Sequence, residues 1–252
     1  MPEGDTVWRT ARHLDRALSG RILTGTDFRV PALATSDLSG HQVDATISRG
    51  KHLLTRIGDV TLHTHLKMEG AWHLYRPGTP WRKPAHEARV VLTTDDWVAV
   101  GFALGVVELV SDEADVVGHL GPDLLGPDWD PGLAVTNLTR DPERAIGEAL
   151  LDQRNLAGIG NIYRSELCFL AGVSPDAPVS AVADLPRLVN RAKSLLEANK
   201  ERVEQSTTGD LRAGRRTWVY RQRVCQRCGT AVVVGQDDRE RATYRCPSCQ
   251  PA

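Results

Sequence analysis

The sequence predicts an α+β fold in which an N-terminal helix precedes a β-rich region, a helical region and a C-terminal metal-binding β-hairpin. Three observations carry this prediction: helical spacing of apolar residues near the N-terminus, short β-rich runs up to residue 109, and two Cys-x-x-Cys pairs near the C-terminus. The length of 252 residues favours two or three structural units. A composition of 41% hydrophobic and 25% charged residues is typical of a globular protein.

The first helix is predicted from apolar residues at helical spacing. Val7, Ala11, Leu14 and Leu18 are separated by four, three and four residues, which places their side chains on one face. Gly20 follows the last of them and marks the end of the helix.

The β-rich region begins at about residue 21. Its short runs, separated by Gly, Pro and Asp, lie at residues 22–23, 53–55, 60–63, 72–75, 90–92 and 97–100. Several short strands at regular spacing predict a sandwich or a barrel.

A segment dense in Pro, Gly and Asp, residues 121–131, is predicted to be a linker. Helices are predicted after it, near residues 142–151, 161–170 and 185–202. The last of these has an apolar face opposite a basic one. These shifts predict domains at residues 1–120, 132–218 and 219–252, with the linker between the first two.

The C-terminal cysteines form a metal-ligand pattern, because two Cys-x-x-Cys pairs are separated by 17 residues: Cys225, Cys228, Cys246 and Cys249. Two such turns can complete a tetrahedron of thiolates around one Zn²⁺, and four protein ligands leave no open position, so the zinc is expected to be structural. Apolar runs at residues 232–234 and 242–244 predict a β-hairpin that carries both pairs. Cys168 lies in an apolar helical stretch and is predicted to be a core residue.

Charge is distributed unevenly along the chain, although the net charge is only −1. Residues 186–252 contain 14 Lys and Arg against 7 Asp and Glu, whereas residues 1–185 contain 17 against 25. This asymmetry is typical of a protein with one face turned to a polyanion. No apolar stretch is long enough to span a bilayer and no secretory signal is evident, so we expect a cytoplasmic, nucleoid-associated protein.

The turn before the second predicted helix of the helical region contains Gly158, Gly160 and Asn161. Two glycines ahead of a helix allow backbone N–H groups to approach a phosphate at the positive end of the helix dipole. The same pattern also serves as simple turn geometry. The basic helix and the cysteine hairpin that follow favour binding of the DNA backbone.

Four motifs occur in one order along the chain: Met-Pro-Glu-Gly at the start, Ser-Arg-Gly-Lys-His-Leu-Leu at residues 48–54, a long motif at residues 151–161, and residues 241–250. Together they resemble the formamidopyrimidine-DNA glycosylase/endonuclease VIII family of base-excision repair enzymes. The start and residues 121–125 look most like the actinobacterial endonuclease VIII branch. The resemblance implies a two-layer β-sandwich after the N-terminal helix, then a helix–two-turn–helix domain and a zinc β-hairpin.

The resemblance also implies the catalytic residues. Removal of Met1 would expose the secondary amine of Pro2, which would attack C1′ of the damaged nucleotide. Glu3 would act as general acid at the sugar oxygen. Lys51 is implied to contact the phosphate near the lesion and to assist catalysis.

Further implied residues bind DNA. Asn161 and Arg241 match the pair that grips the backbone around the flipped nucleotide, and Met68 matches the wedge that fills the vacated stack. A strand-end Met that faces inward is the alternative for Met68. The nearby histidines, His63, His65 and His73, are interpreted as strand or DNA-facing polar residues and not as a metal site.

The implied function is a bifunctional glycosylase and apurinic lyase that removes oxidised bases, mainly pyrimidines, and cuts the strand by β,δ-elimination. The expected partner is damaged DNA, either duplex, single-stranded or bubble, and a monomer is expected because asymmetric DNA requires no two-fold partner. Zinc is the only cofactor expected. The alternatives are an 8-oxoguanine/formamidopyrimidine glycosylase and a non-catalytic zinc-finger protein that binds lesion DNA.

Overall fold

The computed structural model describes residues 2–251, and the chain divides into two units, Met1–His119 and Leu120–Ala252. Met1, whose removal would expose the amine of Pro2, lies outside the described residues. No helix in residues 2–251 combines the length and the apolar character that a membrane span requires.

The first unit begins with helix α1 (Gly4–Leu18), whose buried residues include the four predicted from their spacing. Ser19 ends the helix by donating its backbone N–H to the Asp15 carbonyl, and Gly20 then adopts a positive φ of 78°. The predicted helix and its end are therefore confirmed.

Eight strands follow α1, and they form two four-stranded antiparallel sheets. The strands are β1 (Gly25–Phe28), β2 (Val43–Arg49), β3 (His52–Ile57), β4 (Val60–His65), β5 (Ala71–Tyr75), β6 (Ala88–Thr93), β7 (Val98–Phe102) and β8 (Val106–Val110). The sheet orders are β1-β6-β7-β5 and β2-β3-β4-β8. A short helix, α2 (Ala114–Val117), comes after them. The two sheets confirm the predicted β-sandwich.

The core between the two sheets shows which side chains of the second sheet, β2-β3-β4-β8, point inward. Ile57 and Leu62 are fully buried in the cluster that also contains Val90 and Leu92 of the other sheet. Because side chains alternate along a strand, His63, which follows Leu62, lies on the opposite face of the sheet. Its cross-strand partners Leu54 and Glu108 lie on that same face.

The strand predictions were incomplete. Five of the six predicted runs overlap strands, but residues 22–23 form only an isolated bridge between Ile22 and Gln42. Strands β1, β2 and β8 were missed. The reason for β8 is that it continues an apolar stretch from β7, and only the turn at Ala103, where φ is 47°, separates the two strands.

Residues 120–251 of the second unit form four α-helices and one hairpin. These are α3 (Pro131–Thr139), α4 (Ile146–Leu151), α5 (Asn161–Ala171), α6 (Leu185–Asn199), β9 (Val233–Gln236) and β10 (Ala242–Arg245). Helix α3 was not predicted, and it begins at Pro131, within the segment interpreted as a linker. Asp130 caps it by accepting the Leu133 backbone N–H at 2.9 Å, so Asp and Pro in this segment start a helix.

Glu166 on α5 organises the chain between α6 and the hairpin. Its carboxylate is fully buried and accepts the backbone N–H groups of Trp218, Val219 and Tyr220 at 2.7 to 2.9 Å. It also accepts the hydroxyl of Thr207. One side chain thus satisfies three consecutive backbone donors in a segment that has no regular secondary structure.

Replacing Glu166 by Ala is expected to lower the free energy of unfolding by at least about 3 kcal/mol, because three buried N–H groups lose their acceptor. Urea unfolding followed by circular dichroism measures the change. Glu201→Ala, at an exposed position just after α6, is the matched control and should change the stability little. Equal stabilities of the two variants would contradict the assigned role.

Candidate nucleic-acid site and metal centre

The four predicted cysteines come together in the second unit. Their Sγ atoms all lie within 4.8 Å of one another. Three of the Sγ–Sγ distances are 4.0 Å (Cys225–Cys249), 3.5 Å (Cys228–Cys246) and 3.6 Å (Cys228–Cys249). A tetrahedron with metal–sulfur bonds of about 2.3 Å has edges of about 3.8 Å, so the cluster fits one metal ion.

Local hydrogen bonds shape both cysteine turns. Gly229 donates its backbone N–H to the Cys225 carbonyl at 2.9 Å and has a positive φ of 76°, which favours glycine. In the second turn, the side chain of Gln250 accepts the Cys246 N–H at 2.9 Å. The same side chain donates to the Val173 carbonyl at 2.7 Å, which anchors this turn beside α5.

The fifth cysteine, Cys168, is fully buried on α5, as predicted. Burial raises the pKa of its thiol to about 12. It therefore remains a neutral core residue and does not join the cluster.

A buried ion pair joins the start of α5 to the hairpin. Arg164 is only 1% exposed and donates to Asp237 at 2.5 Å. It also donates to the side-chain oxygen of Asn161 and to the Ala242 carbonyl. Asp237 in turn accepts the Arg241 Nε–H at 2.8 Å. Asn161 and Arg241, which the motif resemblance predicts to bind DNA, are thus held through one network.

Charge and hydrogen bonding oppose burial at Asp237. Burial raises its pKa, but the backbone N–H of Arg241 and the Arg164 guanidinium outweigh that effect and hold the pKa below its ordinary value. The carboxylate is therefore ionised at neutral pH and keeps both arginines in place.

The two glycines in the turn before α5 have different conformations and roles. Gly158 has a φ of 116° and donates its N–H to the side chain of Gln153 at 3.0 Å. This N–H stabilises the turn, which was the alternative reading of the motif. Gly160 is extended and directly precedes Asn161, the first residue of α5.

The remaining predicted site residues lie in the first unit. Glu3 is fully buried and immediately precedes α1, and Pro2 is half-buried. Lys51 lies in the turn between β2 and β3, next to Gly50, whose φ is 57°.

Met68 lies in the turn between β4 and β5 and is 60% exposed, so the alternative that it faces inward is wrong. The turn requires glycine at its end, because a Cβ on Gly70 would lie 2.4 Å from the Leu66 carbonyl oxygen.

The three histidines lie on strands, as interpreted from the sequence: His63 and His65 on β4 and His73 on β5. His63 is buried, donates to or accepts from His52 over 2.8 Å, and contacts Glu108 at 2.7 Å. His73 instead contacts the Tyr75 hydroxyl at 3.0 Å, in the other sheet. The chain from His52 through His63 to Glu108 was missed because it depends on strand register.

The basic face predicted for α6 is partly engaged within its own unit. Lys193 donates to the Leu124 carbonyl at 2.7 Å and to Glu197 at 2.8 Å, and Lys200 also pairs with Glu197. Arg187 and Arg191 are exposed.

Comparison with known proteins places these features in a family. The sequence profile of the formamidopyrimidine-DNA glycosylase N-terminal domain matches residues 1–103, and that of the formamidopyrimidine-DNA glycosylase H2TH domain matches residues 120–210. The chain therefore belongs to the formamidopyrimidine-DNA glycosylase family, as its motifs predicted.

Its relatives include proteins of actinobacteria. The chain is 57% identical to "Probable endonuclease 8 2" of Streptomyces coelicolor, over 99% of this chain and 94% of that protein. It is 50% identical to "DNA-(apurinic or apyrimidinic site) lyase Nei2" of Mycolicibacterium smegmatis, over 100% of both chains. The solved "Structure of MutM in complex with carbocyclic 8-oxo-G containing DNA" matches with a TM-score of 0.82 and 25% identity, over 100% of both chains. The predicted actinobacterial endonuclease VIII branch is confirmed.

Asp237→Asn is expected to lower the free energy of unfolding by about 3 kcal/mol, since the buried Arg164 loses its counter-charge. The difference from wild type should shrink as the pH falls below about 4, because the depressed pKa of Asp237 contributes stability only while the carboxylate is ionised. Asp238→Asn, at the exposed neighbouring position, is the control for urea unfolding at both pH values. A loss in the control as large as in Asp237→Asn would refute the importance of the pair.

Proposed function

We propose that this protein is a bifunctional DNA glycosylase and apurinic/apyrimidinic lyase of base-excision repair. The observation that carries the proposal is the full-length similarity, at 50–57% identity, to proteins named endonuclease 8 and DNA-(apurinic or apyrimidinic site) lyase. Neither the sandwich nor the cysteine hairpin alone would define this chemistry, because folds host many functions.

Pro2 is the proposed nucleophile. Once Met1 is removed, Pro2 carries a free α-amino group. α-Amino groups ordinarily have pKa values of about 8, against about 10.4 for lysine, so a useful fraction is neutral at physiological pH. The Pro2 nitrogen forms a bond to C1′ as the bond from C1′ to the damaged base breaks. The C1′–O4′ bond of the sugar then breaks as O4′ takes up a proton, which leaves an iminium between Pro2 and C1′. This iminium acidifies the neighbouring sugar protons, and their loss expels the 3′ and then the 5′ phosphate.

Glu3 is the proposed proton donor to the sugar oxygen. Its position beside Pro2 is fixed by covalent connection, and its burial at the start of α1 restricts the side chain. A general acid held next to the nucleophile shortens the path of each proton that the elimination moves.

The DNA-binding residues are proposed from both units. Lys51 supplies a cation in the β2–β3 turn, and the exposed Met68 supplies an apolar wedge to fill the gap left by a flipped base. Asn161 at the start of α5 and Arg241 on the hairpin are the proposed phosphate donors, and Gly158 and Gly160 form the turn that places Asn161 at the positive end of the helix.

Oxidised pyrimidines are the proposed lesions, in duplex, single-stranded or bubble DNA. The similarity to endonuclease 8 proteins supports this choice. The loop at residues 209–216 also supports it, because so short a loop leaves little room to cover an oxidised purine. Thr208, directly before that loop, donates its hydroxyl to the Arg215 carbonyl at 2.6 Å, which closes the loop on itself. Excision rates on matched duplexes with an oxidised pyrimidine or 8-oxoguanine distinguish this proposal from its alternative, an 8-oxoguanine/formamidopyrimidine glycosylase.

The metal is proposed to be a single structural Zn²⁺. Cysteine thiolates are ligands that zinc prefers, and four of them exclude substrate from the metal. Zinc would hold the two cysteine turns together, whereas the chemistry of the reaction belongs to the residues near Pro2. A monomer that acts on damaged DNA in the cytoplasm is proposed.

Borohydride reduction is expected to trap a covalent complex between the wild-type protein and abasic-site DNA, because it reduces the iminium to a stable amine. Pro2→Gly should lose most of this product, whereas Pro80→Gly, in an exposed loop, should trap normally. Intact mass establishes beforehand that Met1 is absent. If Met1-free wild-type protein gives no adduct, the lyase is rejected in favour of a non-catalytic protein that binds lesion DNA.

Metal analysis is expected to find one zinc per chain in the wild-type protein. Cys246→Ser should lose it and bind DNA more weakly, because Arg241 precedes the same cysteine turn on the hairpin. Cys168→Ala is the control that removes a cysteine outside the cluster and should retain one zinc. Full zinc content in Cys246→Ser would count against a four-cysteine site.

A further inference from the structure

A chain of hydrogen bonds crosses three neighbouring strands on the face of the sheet that lies away from the sandwich core. Glu108 on β8 is the direct cross-strand partner of His63 on β4, and their side chains meet at 2.7 Å. The other ring nitrogen of His63 lies 2.8 Å from Nδ1 of His52 on β3. His63 is nearly inaccessible, at 4% exposure, whereas Glu108 is 47% exposed.

The Glu108 carboxylate determines which atom donates and which accepts in each of these hydrogen bonds. An ionised Glu108 can only accept, so Nδ1 of His63 carries the proton that joins them. The neutral His63 then accepts at Nε2, and His52 must donate from its Nδ1. The remaining nitrogen of His52, Nε2, therefore bears a lone pair while the ring is neutral.

The groups around His52 are cationic or can become so. Lys51 precedes it in the chain, and His65 is its cross-strand partner on β4. Lys67 follows β4, and the ring of His119 lies 6.3 Å from that of His52. The carboxylate of Glu108 reaches His52 through His63.

This setting keeps His52 and His65 neutral in the free protein at neutral pH. Burial and then the charge of His65 lower the pKa of His52 to about 3, with further contributions from His63, His119 and Lys67. Burial, Lys67 and Lys51 lower the pKa of His65 to about 4. An arriving anion would reverse this effect, because it favours the protonated imidazole.

We propose that His52 binds a DNA phosphate beside Lys51 through Nε2 and takes up one proton from solvent as it does so, with His63 and Glu108 as positioning residues. The added proton turns Nε2 from an acceptor into a donor, which a phosphate requires. Its charge is offset by the phosphate on one side and by Glu108, through His63, on the other. The inference rests on the proposed DNA-binding function.

The test is the pH dependence of affinity for a duplex that contains a tetrahydrofuran analogue of an abasic site, which the enzyme cannot cleave. Between pH 8.0 and 5.5 the wild-type affinity should rise as the pH falls, by about tenfold per pH unit at most for one proton. His52→Asn keeps a donor towards His63 but cannot titrate, and its slope should be nearly flat. Glu108→Gln should also flatten the slope.

The matched control is Glu113→Gln. Glu113 pairs with Arg56 at 2.7 Å and accepts the Thr61 hydroxyl at 3.1 Å, outside the Glu108–His63–His52 hydrogen bonds, so its loss should leave the wild-type slope unchanged. A second measurement needs no variant: calorimetry of wild-type binding at pH 6 in two buffers of different ionisation enthalpy should report proton uptake.

The outcomes distinguish a failure of the role of His52 from a failure of the proposed function. Parallel slopes in wild type and His52→Asn, or no proton uptake by wild type, would overturn the role of His52 while DNA cleavage remained intact. Absence of both DNA binding and borohydride trapping in the wild type would instead overturn the proposed function, and this inference with it.

Discussion

The buried pair of Arg164 and Asp237 is the interaction on which the second unit depends. It lies where the first turn of α5 meets the tip of the hairpin, and both side chains are at most 4% exposed. Helix and hairpin are separated by more than 70 residues of chain, so local sequence cannot hold them in register. A charge pair can, because an arginine fork and a carboxylate attract over a narrow range of angles.

Stability alone does not explain such a pair. Removing two charges from water is costly, and an apolar pair of similar volume is often as stable. In addition, Nε of Arg164 has no hydrogen-bond partner among the described residues. What the pair supplies is orientation: Arg164 fixes the side-chain oxygen of Asn161, and Asp237 fixes Arg241. The network thus sets the geometry of these two residues.

The parts of this fold that sequence could predict are those encoded by short spacings. Helix α1 follows from four apolar residues, and the metal centre follows from two Cys-x-x-Cys turns. Helix α3 was not predicted from the sequence because Pro, Gly and Asp, which usually indicate a linker, here form its cap and first turn. The contact between His63 and Glu108 joins residues 45 positions apart. It requires the register of β4 against β8, and β8 itself has no polar alternation that would reveal it.

The positive net charge of residues 186–252 is readable from the sequence, whereas the ion pairs between individual side chains are known only from the structure. Four of the seven acidic residues after position 186 are in ion pairs with cations of the same segment: Glu197, Glu204, Asp210 and Asp237. These pairs determine the positions of individual side chains such as Lys193. They leave the excess of 14 cations over 7 anions unchanged, because each acid is already counted. Attraction of a polyanion depends on this excess and on salt, whereas the grip on a particular phosphate depends on the few side chains that the pairs orient.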